Sequence, residues 1–341
     1  MLGKKGNWRT KQTLAYNTDL TSNLDGNPSA RNYNTGIYAD FLMFNWEEGL
    51  ANDNTNWKMM EQATAYSPGG NLLETYDNMG IYSSRKFGYN DNLPYIEASN
   101  ARENNIQFES FENTYAIGGN TFYENGLQTN NVPGFATEDA SHTGERSLQL
   151  YNSIGALDFP LGPVILNDHI FSEGLLFSMW VKQLPVTESI GGFAPDAYLD
   201  LNSLFEASLY VNGNLLTMSD FEVVVKTGEW TLLERRIDPI PLGGLSLGDS
   251  LMPKIIRKHL FLGMDYLFFV DDVKIVPFDA EATCYVYDKE TFQPTAILGS
   301  NHMAMKYQYS KNGELVRTTK ETAKGWMTVE EGHRILPRQI R

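Results

Sequence analysis

Two adjacent carboxylates, Asp271 and Asp272, stand inside an apolar run that extends from Tyr266 to Val276. Alternate side chains of a strand share a face. Asp272 has the parity of Lys274 and is expected to be solvated. A buried carboxylate is costly without partners, so Asp271 needs either a cation or several hydrogen-bond donors, from the backbone or from Arg146. The residues expected to point inward with Asp271 are Leu267, Phe269, Val273 and Ile275.

Aromatic side chains that could stack on a sugar ring are the second kind of candidate. Trp180 and Tyr198 are chosen because exposed aromatics beside amides and carboxylates bind pyranose faces. Trp180 has the opposite parity to Phe177 and Met179, which would let it face outward. The alternative is that Trp180 fills a second layer or lies under a flanking domain, since tryptophan is highly buried on average.

Signals for catalysis are poor. The five histidines have neither His-x-x-x-His nor His-Glu-x-x-His spacing, and no phosphate loop occurs. Cys284 lies in a strand-like run and is expected to be buried and inert. With 42 acidic residues, an arbitrary carboxylate pair has no meaning as a glycosidase signature. The sequence therefore predicts no catalytic residue and no enzyme.

Composition limits the classes of partner. The net charge of −15 disfavours nucleic acid, whose phosphates need clustered Lys and Arg, and equally disfavours anionic membranes. No apolar run reaches the ~18 residues that span a bilayer, so direct membrane insertion is not expected. The single cysteine allows no intramolecular disulfide. No apolar segment follows Lys4 and Lys5 as in a signal peptide, which favours a piece of a longer chain.

The elements that must position these residues are strands. Short apolar alternations broken by Gly, Asn, Asp and Pro predict an all-β fold, with one weak helix over Thr55 to Ala63. Glu173 to Lys182 places Leu175, Phe177, Met179 and Val181 on one face, and Asn212-Gly213 marks a tight hairpin. Three regions follow from texture: a Tyr-, Trp- and Asn-rich β-hairpin region at 1–104, a β-sandwich at 105–280, and hairpins with a basic tail at 281–341.

The central region resembles jelly-roll carbohydrate-binding modules of the galactose-binding-like type. Five segments carry the resemblance in the same order: Phe108–Asn113, His142–Leu150, Leu176–Lys182, Gly228–Trp230 and Phe269–Ile275. In such modules an inward aspartate near the "FE" glutamate ligates a structural calcium. The resemblance therefore implies Ca²⁺ at Glu112 and Asp271, with backbone carbonyls from the 141–144 loop, a donor set that calcium accepts.

The flanks are similar to the YD-repeat unit of RHS-like proteins. Met305–Arg317 carries the main match and Tyr285–Asp288 a partial one, with Ser310 and Glu314 departing from the repeat. The whole arrangement resembles the C-terminal region of large secreted surface proteins of Bacteroidota. That resemblance implies export, by the type 9 route, and a location outside the cell.

Three functions follow as hypotheses. The first is a non-catalytic structural or interaction protein, an adhesin or gliding-associated segment that contacts another protein of the cell surface or secretion machinery. Its docking residues would be Trp326, Ile335 and Leu336 in the basic terminal stretch. The second is a polysaccharide-binding module, and the third is a jelly-roll glycosidase or lyase. The degenerate YD-like flanks favour the first.

Overall fold

The computed structural model describes residues 8–16, 31–32, 37–38, 43–44, 57–117, 119–124, 135–150, 157–184, 200–202, 204–238, 245–258 and 267–332. The chain divides into two compact units, residues 1–83 and 84–341. The first unit contains β1 (Gln12–Tyr16), β2 (Arg31–Asn32), β3 (Ile37–Tyr38), β4 (Trp57–Tyr66) and β5 (Leu72–Asp77). β4 pairs antiparallel with β1 and with β5. The predicted helix over Thr55 to Ala63 is therefore wrong, since Trp57–Tyr66 is a strand.

The second unit contains the central and terminal strands. Its elements are β6 (Tyr82–Gly88, which begins at the boundary), β7 (Leu93–Ser99), β8 (Gln107–Glu109), β9 (Thr114–Ile117), β10 (Asn120–Tyr123), β11 (Phe135–Thr137), β12 (Ser147–Leu150), β13 (Leu157–Pro160), β14 (Val164–Ile165), α1 (Asp168–Glu173), β15 (Leu175–Leu184), β16 (Phe205–Val211), β17 (Asn214–Asp220), β18 (Glu222–Thr227), β19 (Trp230–Ile237), β20 (Ser250–Arg257), β21 (Leu267–Pro277), β22 (Glu281–Tyr287), β23 (Pro294–Leu298), β24 (Ala304–Tyr309), β25 (Leu315–Thr322) and β26 (Gly325–Glu331).

A β-sandwich forms the centre of this unit. The larger sheet has the order β11-β12-β21-β15-β19-β18 with β8 also on β21, and the smaller has β13-β20-β16-β17 with β14 on β20. Between them lies an apolar core that includes Leu175, Phe177, Met179 and Val181, the face predicted for β15. The hairpin turn is also as predicted, with Asn212 at φ +50° and Gly213 at φ +80°. The all-β sandwich fold is confirmed.

The larger sheet is covered on its second face as well. β7 and β22 to β26 form a terminal sheet in which β7 pairs with β22 and each later strand pairs antiparallel with the one before it. Phe108 and Val276 of the larger sheet pack against Ile96, Cys284 and Leu298 of the terminal sheet. Residues 84–104 and 281–332 thus share one sheet, and the three-region division of the sequence remains a prediction.

Candidate functional site: a buried histidine and carboxylate cluster

The site begins with a β-bulge in β21. β15 and β21 pair Ser178 with Lys274 but Trp180 with Asp271, so β21 has one extra residue, and Asp272 takes the left-handed φ of +49°. The bulge reverses the alternation: Val270 before it and Val273 after it both line the sandwich core. The prediction that Leu267, Phe269, Val273 and Ile275 share one face with Asp271 is therefore wrong.

Asp271 is fully buried, as predicted, and backbone donors satisfy its carboxylate. Its Oδ2 accepts hydrogen bonds from the backbone N–H of His142 at 2.7 Å and of Thr143 at 3.2 Å, and its Oδ1 accepts one from Asp272 at 2.8 Å. The sequence left open whether a cation, the backbone or Arg146 would pair with Asp271, and the hydrogen bonds in the structure come from the backbone. The carboxylate therefore fixes the 141–144 loop on the sheet.

Asp272 is 3% exposed, so the prediction that it is solvated is wrong. It shares the face of Lys274 and Val276, which the terminal sheet covers. There its Oδ2 lies 2.6 Å from His142 Nδ1, and its Oδ1 accepts a hydrogen bond from Thr143 Oγ1 at 2.7 Å. The local sequence does not reveal this cover, because the covering strands β22 to β26 come later in the chain.

His142 links the sandwich to the terminal sheet. Its Nε2 lies 3.0 Å from Glu321 Oε1 on β25, and its ring stacks on Trp180 with centroids 4.1 Å apart. Glu321 also accepts hydrogen bonds from Thr227 Oγ1 and from the N–H of Ala304. No spacing in the sequence pointed to His142, Thr227 or Glu321, because the contacts of His142 cross 130 and 179 residues.

The imidazole of His142 and the carboxylate of Glu321 each favour the charged form of the other. Burial lowers the pKa of His142, but hydrogen bonds and the charges of Asp272 and Glu321 outweigh it and raise that pKa above 6.5. Burial raises the pKa of Glu321, yet His142, Thr227 and the Ala304 N–H bring it below 4.5. The neighbouring carboxylates therefore favour the protonated form of the His142 ring.

The aromatic residues chosen from sequence have other roles. Trp180 is 1% exposed and its Nε1 donates to the carbonyl of His302 at 3.2 Å, so it cannot present a face to a sugar. The prediction that Trp180 binds a ligand is therefore wrong, because Trp180 lies under the terminal sheet.

Trp326 is 41% exposed, and Lys306 Nζ lies 4.1 Å from its ring centroid. Tyr198, Ile335 and Leu336 lie outside the described residues.

The carboxylates predicted to bind calcium are both buried. Glu112 Oε1 accepts hydrogen bonds from the N–H of Glu145 and of Arg146, at 2.8 and 2.7 Å. Burial raises the pKa of Glu112 to about 8, with repulsion from Asp272 adding to it. Burial, and then repulsion from Asp272 and Glu112, raises the pKa of Asp271 well above its usual range.

A cation would relieve this repulsion, so the pair fits calcium in charge. Gly144 lets the Glu112 carboxylate approach the 141–144 loop closely, since a Cβ there would lie 2.2 Å from Glu112 Oε1. In the part of the chain that the structure describes, no three His, Cys, Asp or Glu residues are arranged to hold a metal ion. Calcium at Glu112 and Asp271 stays a prediction.

A second buried polar set lies under the same sheet. His302 Nε2 lies 3.2 Å from Glu234 Oε1, and Lys274 is 4% exposed with Nζ 3.5 Å from the Gly299 carbonyl. Burial, followed by the charge of Lys274, lowers the pKa of His302 to about 2. Burial also raises the pKa of the Cys284 thiol to about 12. His302 and Lys274 are buried between the larger sheet and the terminal sheet, and the high pKa of Cys284 keeps its thiol protonated.

Comparison with known proteins adds little. No family model and no curated protein matches the chain. Solved structures that it resembles include a cyclase from Fischerella sp. TAU in complex with 4-(1H-indol-3-yl)butan-2-one, at 15% identity over 52% of this chain and 84% of the cyclase, with a TM-score of 0.25. Another is a beta-1,2-glucanase from Parabacteroides distasonis, at 9% identity over 68% of this chain and 37% of the glucanase, with a TM-score of 0.29. Such TM-scores carry no argument about fold or activity.

The described residues contain no helix with the length and apolar character needed to cross a bilayer.

Proposed function

We propose that this chain is a non-catalytic interaction protein, part of a longer exported chain located at the cell surface or outside the cell. In this proposal the sandwich and the terminal sheet form a rigid body, and the terminal sheet contacts another protein of the cell surface or secretion machinery. The buried state of the His142 cluster supports the non-catalytic part, because a general acid or base must reach its substrate.

The exposed edge of β26 carries the proposal. Among the described strands, β26 pairs with β25 alone, and its apolar residues are open to solvent: Trp326 is 41% exposed, Met327 55% and Val329 55%. An edge with unpaired N–H and C=O groups is a template for another strand, and proteins usually blunt such edges. Here a bulge at Val329 and the charges of Glu330 and Glu331 blunt one end, while 325–328 is regular and carries no charged side chain.

The occupant that this edge fits is an extended strand of the partner protein. From β22 to β26 the sheet grows by one antiparallel strand after another, so a further strand continues an established pattern. Main-chain hydrogen bonds would supply affinity, and contacts with Met327 and Trp326 would supply specificity.

The test is site-specific photo-crosslinking in the source cell envelope, with the crosslinker at Met327 and, as control, at the equally exposed Leu215 on the sandwich. We expect one partner to be captured at Met327 alone, and to be lost in Thr328→Pro but retained in Thr328→Val, since proline removes a backbone donor. A second arm deletes residues 333–341, which include Ile335 and Leu336. If the partner is still captured in the Thr328→Pro variant, strand addition is contradicted. Steady hydrolysis of a defined glycan by the purified chain would overturn the non-enzymatic assignment.

A further inference from the structure

The open edge of β26 has opposite charges at its two ends. Lys324 lies in the turn that precedes the strand, and Glu330 lies near the end of the strand; both are exposed. The next residue, Glu331, is held by Arg317, whose Nη2 lies 2.6 Å from its Oε1. Between the two ends, 325–329 carries no charged side chain. A chain that arrives at this edge therefore meets Lys324 at one end and Glu330 at the other.

These charges determine which strand fits beside β26, because a strand has a direction. Each neighbouring pair from β22 to β26 is antiparallel, so a further strand of the same kind runs antiparallel to β26. Its first residues then lie beside Glu330 and its last residues beside Lys324. Since opposite charges on paired strands stabilise and like charges destabilise, the strand that fits begins with a basic residue and ends with an acidic one.

The sequence of β26 meets this requirement itself. Lys324 precedes the strand and Glu330 lies near its end, three positions to either side of Met327. If two copies pair antiparallel about a two-fold axis near Met327, the Lys324 of each copy lies beside the Glu330 of the other. A parallel pair would bring like charges together instead. The edge is therefore complementary in charge to a second copy of itself.

The regular part of the strand supplies the remaining contacts. Backbone hydrogen bonds are expected over 325–328, and the long, flexible side chain of Lys324 can reach Glu330 past the bulge at Val329. At the axis the two Met327 side chains, each 55% exposed in the single chain, would cover one another. Methionine adapts to such a contact because its side chain is unbranched and flexible. Pairing thus shields apolar surface that an open edge leaves in water.

β18, an edge strand of the larger sheet, is closed in another way. It also has opposite charges at its ends, Glu222 and Lys226. A bulge interrupts it, and the N–H of Val223 donates a hydrogen bond to Asn202 Oδ1 at 3.0 Å. β26 is regular over 325–328 and so keeps its backbone accessible to another strand.

We propose that β26 pairs antiparallel with β26 of a second copy of this chain, forming a two-fold dimer that closes the edge. A two-fold interface uses the same surface on both copies, so the pairing stops at two chains. This pairing, which rests on the proposed function, regulates its site: the second copy occupies β26 until a partner strand replaces it. A contact of this length lies below about 1,200 Å² of buried surface, the range of weak, transient complexes, so a partner strand can replace it.

Sedimentation velocity of the purified whole chain tests this pairing, over about 5–500 µM, where an interface of this size dissociates. We expect a reversible equilibrium between monomer and dimer. Lys324→Glu and Glu330→Lys should each weaken dimerisation roughly 3- to 30-fold, because the altered contact occurs twice in the dimer. An equimolar mixture of the two variants should restore it, since both contacts between the unlike copies again join opposite charges.

The matched control reverses the exposed charges of Lys289 and Glu290 in the turn between β22 and β23, which β24 and β25 separate from β26. Lys289→Glu, Glu290→Lys and their mixture should leave dimerisation unchanged. The pairing is overturned if the chain stays monomeric over this range, if the mixture dimerises no better than either variant alone, or if the control substitutions weaken dimerisation equally. None of these outcomes affects capture of a different protein at Met327, whose absence beside an intact dimer would overturn the proposed function alone.

Discussion

Replacing Glu321 with Gln tests whether the His142 cluster fastens the terminal sheet to the sandwich. Glu321 is 1% exposed and accepts hydrogen bonds from His142, Thr227 and Ala304. Removing one partner of a buried ion pair costs about 3–5 kcal/mol, and no discount for solvent screening applies at this depth. At about 2–4 °C per kcal/mol, we expect the melting temperature to fall by roughly 6–20 °C.

The effect should depend on pH in a definite direction. The folded-state pKa of His142 lies above 6.5, so its contribution is complete below pH 6.5 and is lost as the pH rises through the raised value. The folded-state pKa of Glu321 lies below 4.5, so its contribution is present above pH 4.5 and is lost as the pH falls through the lowered value. The difference between wild type and Glu321→Gln should therefore be largest between pH 4.5 and 6.5.

The assay combines thermal unfolding from pH 4 to 9 with hydrogen exchange of β24 and β25. Glu331→Gln is the matched control, since Glu331 is exposed and pairs with Arg317 at the surface; its cost should stay below about 1 kcal/mol. Equal destabilisation by the two substitutions would refute the reasoning. So would a cost of Glu321→Gln that is the same at pH 5 and pH 9.

Three further predictions follow from the buried groups. If calcium binds at Glu112 and Asp271, chelation should lower the melting temperature and Asp271→Asn should abolish that response. No response to chelator would exclude the site. Trp180→Ala should cost about 3–5 kcal/mol in urea unfolding yet leave retention on polysaccharide gels unchanged, and altered retention would count against its burial. Cys284 should resist Ellman's reagent at pH 8 until the protein unfolds, because burial raises its pKa to about 12, whereas rapid native-state labelling would show an open site.

Much of the sandwich can be predicted from sequence because its strands alternate. The apolar residues of β15 alternate along the strand, so its buried face can be read from the sequence. The Asn212-Gly213 turn needs a left-handed backbone conformation at both positions, which asparagine and glycine adopt readily. The helix α1 has its signals too: Asn167 caps its first turn and Gly174 ends it at φ +78°. Six residues are too short for a periodic pattern to emerge.

The candidate site could be predicted in part. The burial of Asp271 follows from its apolar neighbours, but the bulge at Asp272 has no sequence signal, because nothing local specifies an inserted residue in one strand. The position of Trp180 depends on a third layer whose strands come more than a hundred residues later. His142 is a single polar residue in a loop. It connects the sandwich to the terminal sheet only through its contact with Glu321, which lies 179 residues later in the sequence.

The pairing of β7 with β22 has a consequence for the order of folding. Paired residues of these strands are 182 to 188 positions apart in sequence, and closing a loop of that length early would be entropically unfavourable and slow. β8 and β21, the neighbours of β7 and β22 along the chain, already pair inside the sandwich. Once the sandwich has collapsed, its two ends emerge side by side and the remaining closure is short. We therefore expect the terminal sheet to form late, with β22 remaining unpaired from β7 until the sandwich is complete.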